Sequence, residues 1–204
     1  MKNIIFALTL LITLTFIACD SNKVESQIMD EQVFYGEWCQ ISSDASKIRD
    51  ITFEHLNYSE EQFFDKDQSN HHARVSGRWS FIVASNIIQM EGTRTWTAIS
   101  AMEPVSEIYV VIQQNEWLLE LRNQDLGSTE TFYKVVESKY LSAGQNTNID
   151  YLSNVSKTAT NYVSSNPEIA KIESDNSITA VSSGIAYITI TANVGKMIVK
   201  VIVK

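Results

Sequence analysis

The residues of this sequence whose types could do chemistry are three histidines, two cysteines and a short run of carboxylates. His71 and His72 are adjacent, and His55 lies upstream of them. Adjacent side chains of a strand point to opposite faces, so this pair is badly placed to chelate one ion. We interpret the pair as part of a solvated loop, and we predict neither a metal site nor a cofactor.

The carboxylates form a run around two phenylalanines and comprise Glu60, Glu61, Asp65 and Asp67. Hydrolysis of a glycosidic bond needs two carboxylates at a defined separation across a cleft, and nothing in this spacing indicates one. We interpret the run as a charged loop at the rim of a domain. The sequence also lacks a phosphate-binding glycine loop, a Gly-x-Ser-x-Gly elbow and a His-Glu-x-x-His motif. We therefore predict no catalytic residue and a protein that is not an enzyme.

Cys39 lies in strand-like sequence, directly after Trp38. A reactive thiolate needs an electropositive setting, whereas the nearby Glu37 and Asp44 are acidic. We expect Cys39 to be a small buried apolar residue.

The composition is that of an acidic globular protein of one or two domains. The chain has 204 residues, 44% of them hydrophobic, and a formal net charge of -8. Nucleic acid is excluded as a partner, because binding to phosphates needs clustered lysine and arginine.

The first residues have the pattern of a secretory signal. Lys2 precedes an uncharged apolar run that ends at Ala18. The run of about 15 residues is short for a hydrocarbon layer of ~30 Å, and no positive cluster follows it.

The end of this signal, Phe16-Ile17-Ala18-Cys19, resembles a bacterial lipobox. The resemblance implies a signal peptide over residues 1–18 and a lipid on Cys19, followed by a tether over residues 19–32. It implies a cell-envelope protein anchored to a bacterial membrane, with the outer membrane or cell surface favoured over the inner membrane. The membrane is then one partner, because several acyl chains on one residue give stable anchoring.

Two composition regimes divide the rest of the chain. All four tryptophans and all three histidines lie within residues 33–136. Residues 137–204 hold six basic and five acidic side chains, whereas residues 1–136 hold ten and nineteen. This division predicts two domains joined near residues 136–142.

The first domain reads as short strands that are rich in β-branched and aromatic residues and are bounded by polar turns. Evenly spaced strands of this kind favour a meander closed into a small barrel, which removes exposed edges. The predicted strands are residues 38–41, 48–56, 74–83, 87–90, 95–99, 108–112, 117–122 and 130–136.

Three motifs in residues 33–136 resemble those of lipocalin-like domains: Gly36-Glu37-Trp38, Gly77-Arg78-Trp79 and a closing strand that ends at Val136. The resemblance implies an up-and-down barrel, in which we expect Trp38 and Trp79 to plug the core. An open apolar cavity would favour carriage of a small apolar ligand. An interior filled by Trp38, Trp79, Trp96 and Trp117 would instead favour a structural or interaction role.

The C-terminal residues 139–204 resemble the bacterial Ig-like group 2 domain. The resemblance lies in Tyr162, in Ser164-Ser165-Asn166 and in Gly184-Ile185-Ala186 with the alternating strand that follows. We expect Asn176 to adopt a left-handed conformation, Gly184 to form a turn, and residues 197–203 to form a central apolar strand. The predicted fold is all-β, a small up-and-down lipocalin-like barrel followed by an Ig-like β-sandwich.

Together these patterns predict a lipid-anchored envelope protein with a non-enzymatic binding or interaction role. The Ig-like module would be a spacer or a contact surface toward envelope proteins or glycans. The alternative is a carrier of a small apolar ligand in the lipocalin-like barrel. Cys19 is the one site residue that the sequence singles out, and no individual ligand-binding residue is predicted.

Overall fold

The computed structural model describes residues 31–64, 72–149 and 159–204. These residues form strands and two short 3₁₀ segments, Glu31–Phe34 and Val83–Ser85. None of the described helices is long and apolar enough to span a bilayer. The strands are β1 (Gly36–Ile41), β2 (Ile48–Phe53), β3 (Asn57–Phe63), β4 (His72–Ile82), β5 (Ile87–Trp96), β6 (Ala101–Gln114), β7 (Leu118–Asn123), β8 (Thr129–Leu141), β9 (Asn146–Thr147), β10 (Ala159–Ser164), β11 (Ala170–Ile172), β12 (Ile178–Ala180), β13 (Gly184–Ala192) and β14 (Gly195–Val203).

Strands β1 to β8 form a closed antiparallel barrel. Each strand pairs with the next along the chain, and β1 also pairs with β8 through Trp38 opposite Lys134 and Cys39 opposite Tyr133. Closure removes the free edges of the sheet. The predictions of an all-β chain and of a closed antiparallel meander are confirmed.

Side chains alternate between the inside and the outside of the barrel, as the pleat of a strand requires. The apolar inward-facing residues gather near one end, which we call the closed end. There Phe34, from the 3₁₀ turn before β1, lies 6.0 Å from the ring of Trp79 and 4.8 Å from that of Phe81. Trp38 donates its indole N–H to the Phe34 carbonyl at 2.7 Å. Trp38 and Trp79 are 1% and 4% exposed, so the predicted core plugs are confirmed.

Gly77 is required by the close approach of β4 and β5. A Cβ at this position would lie 2.0 Å from the Glu91 carbonyl oxygen and 2.6 Å from Cα of Gly92. Any larger residue would force the two strands apart beside the ring of Trp79.

The predicted strands differ from the observed strands in two places. Strand β3 was not predicted, because its sequence Asn57–Phe63 is polar and places Glu60 and Gln62 on the inner face. Residues 87–90 and 95–99 were predicted as two strands, but the first and the start of the second belong to the single strand β5. The residues between them continue the strand rather than forming a turn: Arg94 lines the cavity, whereas Glu91 and Thr93 are exposed.

Strand β8 belongs to both parts of the molecule. Its first half pairs with β7 and β1, whereas Val135 and Glu137–Leu141 pair in parallel with β14. The predicted join near residues 136–142 therefore lies largely within a continuous strand. Strand β14 is central between β8 and β13, as predicted for the apolar segment 197–203, and β10 follows β13 at the edge.

A second sheet of β11, β12 and β9 lies against β13 and β14. Asn176 has φ of 65°, so its predicted left-handed conformation is confirmed; Gly184 has the predicted positive φ, at 146°, but it is the first residue of β13 rather than part of the turn. The two sheets share one buried apolar cluster, whose main members are Ile169, Ile178, Ile188, Ile190, Val199 and Val201.

Candidate functional site

A cavity of about 560 Å³ occupies the end of the barrel opposite Trp38 and Trp79. We call this the open end; the turns from β1 to β2, from β5 to β6 and from β7 to β8 surround it. The side chains that line it include Arg49, Gln62, Arg94, Glu107, Asn123 and Glu130, all on strands of the barrel. The interior is therefore filled by apolar groups in one half and hollow and polar in the other.

Arg49 is the centre of the polar half. Its Nε donates to Glu60 at 2.6 Å, and its Nη2 donates to Glu60 at 3.2 Å and to Glu107 at 3.4 Å. Its Nη1 donates to Tyr109 at 3.2 Å and to Glu130. All five guanidinium hydrogens therefore have an acceptor, and three carboxylates surround one cation.

Burial alone would lower the pKa of Arg49, but Glu60, then Tyr109 and Glu130, raise that pKa well above its usual value. Arg49 is therefore permanently charged. The pKa of Glu130 is raised, first by burial and then by Glu107 and Glu60, against the opposing effect of Arg49. At Glu130, burial and the neighbouring carboxylates outweigh the attraction of Arg49.

A second guanidinium, that of Arg94 on β5, also lines the cavity. Arg94 donates to Glu103 at 2.8 Å and lies 3.6 Å from Glu107. Among the described residues, neither Nε of Arg94 nor the hydroxyl of Tyr58, an inward-facing residue of β3, has a hydrogen-bond partner, and both are buried. Burial, followed by Glu60 and Glu107, raises the pKa of Tyr58, so this hydroxyl keeps its proton close to those carboxylates.

Apolar and aromatic side chains surround the mouth of the cavity. The rings of Phe64 and Trp96 stack at 5.4 Å. Leu126, which lines the cavity, is 77% exposed, and Ile99 and Met102, in or beside the turn from β5 to β6, are 73% and 72% exposed but do not line it. Exposed apolar side chains grouped at the rim of a cavity are a feature of binding sites.

The four tryptophans do not form one plug. Trp38 and Trp79 fill the closed end, whereas Trp96 lines the mouth of the cavity. Trp117 packs outside the barrel, against the cluster of the C-terminal sheets. Of the two alternatives that the sequence left open, an interior filled by all four tryptophans is therefore not the one observed, because neighbouring strand ends project their side chains to different ends and faces.

The acidic run and the histidine pair also differ from their predicted loops. Glu60 and Glu61 lie in β3, with Glu60 buried inside the barrel. His72 begins β4, contacts Glu61 through Nε2 and stacks on Phe63 at 4.8 Å. His55 is exposed in the turn after β2, 3.1 Å from the Tyr35 hydroxyl. Asp65, Asp67 and His71 lie outside the described residues, as does Cys19.

Among the described residues, no group of three or more histidine, cysteine or carboxylate side chains is arranged to hold a metal ion. The three glutamates around Arg49 are directed at its guanidinium instead. What the polar half offers is a set of charged and hydrogen-bonding groups on a rigid wall.

A buried polar network joins the outside of the barrel to the C-terminal sheet. Lys200 of β14 donates to Asp50 of β2 and to Glu37 of β1, each at 2.6 Å. The Tyr187 hydroxyl donates to Oδ2 of Asp50 at 2.8 Å, whereas no residue that the structure describes donates to Oδ1 of Asp50. Cys39 is fully buried in the apolar cluster beside this network, as predicted.

Burial and the charges of this network shift the pKa values of Asp50 and Cys39. Burial raises the pKa of Asp50 to about 7, with Lys200 lowering it and Glu37 raising it. Burial also raises the pKa of the Cys39 thiol, and the charge of Asp50 adds to this effect. Cys39 is thus an inert thiol at neutral pH.

Sequence reasoning missed Arg49, Glu107 and Glu130 as site residues. Each is a charged residue at an inward-facing position of a strand. Each lies two residues before a core residue of the same strand, namely Ile51, Tyr109 or Phe132. Because residues two apart in a strand share a face, this spacing is the signal that would have placed them inside the barrel.

In comparisons with family models, with curated proteins and with solved structures, none matches this chain. The fold defines the molecule as an eight-stranded closed antiparallel barrel with additional strands attached through β8 and β14.

Proposed function

We propose that this chain is a lipid-anchored protein of a bacterial cell envelope that binds a small ligand in the open end of its barrel without transforming it. The observation that carries the binding role is the cavity of about 560 Å³. Ligand sites of proteins have volumes of about 300–1,000 Å³ and combine apolar walls with a few fixed polar groups. Here the polar groups are Arg94, Asn123 and Glu130, and the apolar groups surround the mouth.

The two outcomes weighed from the sequence were an open apolar cavity, for carriage of an apolar ligand, and a filled barrel, for a structural or interaction role. The open end favours carriage, although its polar lining argues against a wholly apolar ligand. The ligand that fits has at least one charged or hydrogen-bonding group.

Binding is testable through Trp96, which lines the mouth of the cavity. We expect a saturable change in tryptophan fluorescence on titration with a panel of small molecules of different charge. Trp96→Phe should abolish this change, whereas the matched variant Trp117→Phe, altered outside the barrel, should retain it. Absence of a saturable response to the whole panel, together with no co-purifying small molecule in native mass spectrometry, would contradict the proposal.

The anchor in this proposal is a lipid on Cys19, and the location is the outer membrane or cell surface. The described chain begins at Glu31, which lies at the closed end of the barrel beside Tyr35. A tether over residues 19–32 would therefore join the barrel at its closed end. Metabolic labelling with a palmitate analogue tests the anchor: the label should be present in the native chain and absent in Cys19→Ala.

For the C-terminal residues we propose the Ig-like group 2 identity and a role as a contact surface toward envelope proteins or glycans. Two sheets around one apolar cluster and the positive φ of Gly184 support the identity. A contact role is favoured by β10, which has one neighbouring strand among the described residues and exposes Val163. A partner captured from envelope extract by the native chain and lost with Val163→Lys would support this role; equal capture by both would contradict it.

A further inference from the structure

Asn123 presents an unused hydrogen-bond donor at the open end. The residue is 5% exposed and lines the cavity. Its Oδ1 accepts from the backbone N–H groups of Asp125 at 3.0 Å and Leu126 at 2.9 Å, which fixes the orientation of the amide. The group left over is Nδ2, and it has no acceptor among the described residues. A buried donor in this position gains a hydrogen bond when a ligand brings an acceptor.

Arg94 holds a second unused donor in the lining of the same cavity. Its Nη1 donates to Glu103 and its Nη2 lies 3.6 Å from Glu107, but its Nε is buried without an acceptor among the described residues. Both unused groups, on Asn123 and on Arg94, are donors. A ligand that only donates hydrogen bonds can satisfy neither of them.

The charges of the lining residues favour an anion. The cationic ones are Lys47, Arg49 and Arg94, and the anionic ones are Glu107 and Glu130, which leaves an excess of one positive charge. Both lining carboxylates contact a guanidinium group, whereas the Lys47 ammonium forms no ion pair with any residue that the structure describes. The charge that lacks a counter-ion in this lining is therefore positive.

Two further carboxylates contact the arginines, but neither lines the cavity. Glu60 is 3% exposed and accepts from Arg49 at 2.6 Å and 3.2 Å. The Glu103 side chain, which pairs with Arg94, is 47% exposed, so solvent and salt screen its charge. A ligand inside the cavity meets the lining residues first.

The mouth offers an apolar surface beside these donors. The rings of Phe64 and Trp96 stack at 5.4 Å, and both residues line the cavity. Leu126, which is 77% exposed, lines it as well. Polar anchors inside and an apolar surface at the mouth fit a ligand with one polar and one apolar end.

We propose that the open end of the barrel binds an organic carboxylate. One of its oxygens accepts a hydrogen bond from Nδ2 of Asn123, and its apolar part lies against Phe64, Trp96 and Leu126. The charge of the ligand matters because charge-assisted hydrogen bonds are about twice as strong as neutral ones. This inference rests on the proposed ligand-binding function and narrows it to one class of ligand.

Three probes that share a phenyl ring and a short chain test the inference: hydrocinnamate, hydrocinnamyl alcohol and phenylpropylamine. They are titrated calorimetrically into the full-length chain that carries Cys19→Ser. We expect hydrocinnamate to bind about tenfold tighter than the neutral alcohol, which corresponds to about 1.4 kcal/mol. The amine tests the opposite preference, in which Oε1 of Glu130 would accept from the ligand, and it should bind most weakly.

Asn123→Asp removes the donor and keeps the Oδ1 acceptor that the turn after β7 uses. This variant should abolish the preference for the acid without weakening the alcohol, which also shows that the variant is folded. The matched control is Asn115→Asp in the turn at the closed end. There Oδ1 of Asn115 accepts from the backbone N–H groups of Trp117 and Leu118, each at 2.9 Å, and the control should retain the preference.

The inference would be overturned, while ligand binding stood, if the alcohol or the amine bound as tightly as the acid. The same holds if Asn123→Asp left the preference intact, or if Asn115→Asp abolished it equally. If none of the three probes bound, the inference would also be overturned, and the fluorescence panel with Trp96→Phe would decide the proposed function separately.

Discussion

The Lys200 ammonium lies 2.6 Å from the Asp50 carboxylate and joins the last strand of the chain to the second strand of the barrel. The pair is 150 residues apart in sequence, and both side chains are largely buried. Glu37 completes the contact from β1. The barrel and the C-terminal sheet are thus held together by a charged network as well as by the apolar cluster around Cys39 and Tyr187.

Stability should depend on pH through Asp50. Its pKa rises from an ordinary value of 3.8 to about 7 on folding, so the folded chain holds a proton that the unfolded chain has lost. The contribution of Asp50 to stability is therefore complete below pH 3.8 and is lost as pH rises through 7. Chemical denaturation at a series of pH values should show wild type losing stability relative to Asp50→Asn across this window, by at most about 1.4 kcal/mol per pH unit. Parallel profiles for the two proteins would contradict this.

Lys200→Met should loosen the contact between the barrel and the sheet. The substitution leaves Asp50 and Glu37 as buried carboxylates without their cation, which costs about 3–5 kcal/mol. In a chain with Cys19→Ser, Cys39 is the only thiol, and it is fully buried. We expect at least about tenfold faster labelling of Cys39 by a thiol reagent, since 1.4 kcal/mol of local opening energy corresponds to tenfold. Lys204→Met, at the chain end, should leave the labelling rate unchanged; equal rates in both variants would refute the role of Lys200.

Arg49→Met should destabilise the barrel and should do so most at high pH. Without the guanidinium, Glu60, Glu107 and Glu130 face one another inside the barrel, and their pKa values should rise. The folded variant then binds more protons than its unfolded chain, so its stability should fall as pH increases. Thermal melts should show a smaller loss at pH 5 than at pH 8, with about 3 kcal/mol or more lost at the higher value. Arg78→Met, on the exposed face of β4, serves as the control and should change stability by less than about 0.5 kcal/mol.

Gly77→Ala should be strongly destabilising. Its added Cβ would meet the backbone of Glu91 and Gly92, which cannot rotate away as a side chain could. Gly127→Ala is the matched control, because nothing lies within 4 Å of its Cβ and the cost there is the strain of φ at +67°. Urea denaturation should show a cost of about 1 kcal/mol for the control and a clearly larger one for Gly77→Ala. Equal costs would contradict the close approach of β4 and β5.

The sequence predicted the strands whose interior is apolar and missed the one whose interior is polar. Residues 117–122 alternate apolar and polar groups, and β7 lies at 118–123. In β3 the inward residues include Glu60 and Gln62, so the same reasoning assigned its end to a charged loop. Hydrophobic periodicity identifies a strand only where its buried face is apolar. At the open end the buried face of β3 is polar, so this signal is missing there.

The same limit explains why the candidate site was not predicted. Arg49 and Glu130 are 81 residues apart, and they meet only because closure of the barrel brings β2, β1 and β8 together. No local spacing encodes such a contact. The core plugs Trp38 and Trp79 were predictable because each belongs to a short Gly-x-Trp motif with a local structural reason.

The position of β14 sets an order for biosynthesis. All eight barrel strands are complete by Leu141, whereas β14 (Gly195–Val203), a central strand of the neighbouring sheet, is synthesised later. Until that segment arrives, β8 has no partner along its second half, and Asp50 has no cation beside it. A chain in which this segment is not yet synthesised therefore leaves exposed the apolar side chains of Cys39 and Ile48 that Ile198 helps to bury in the folded protein.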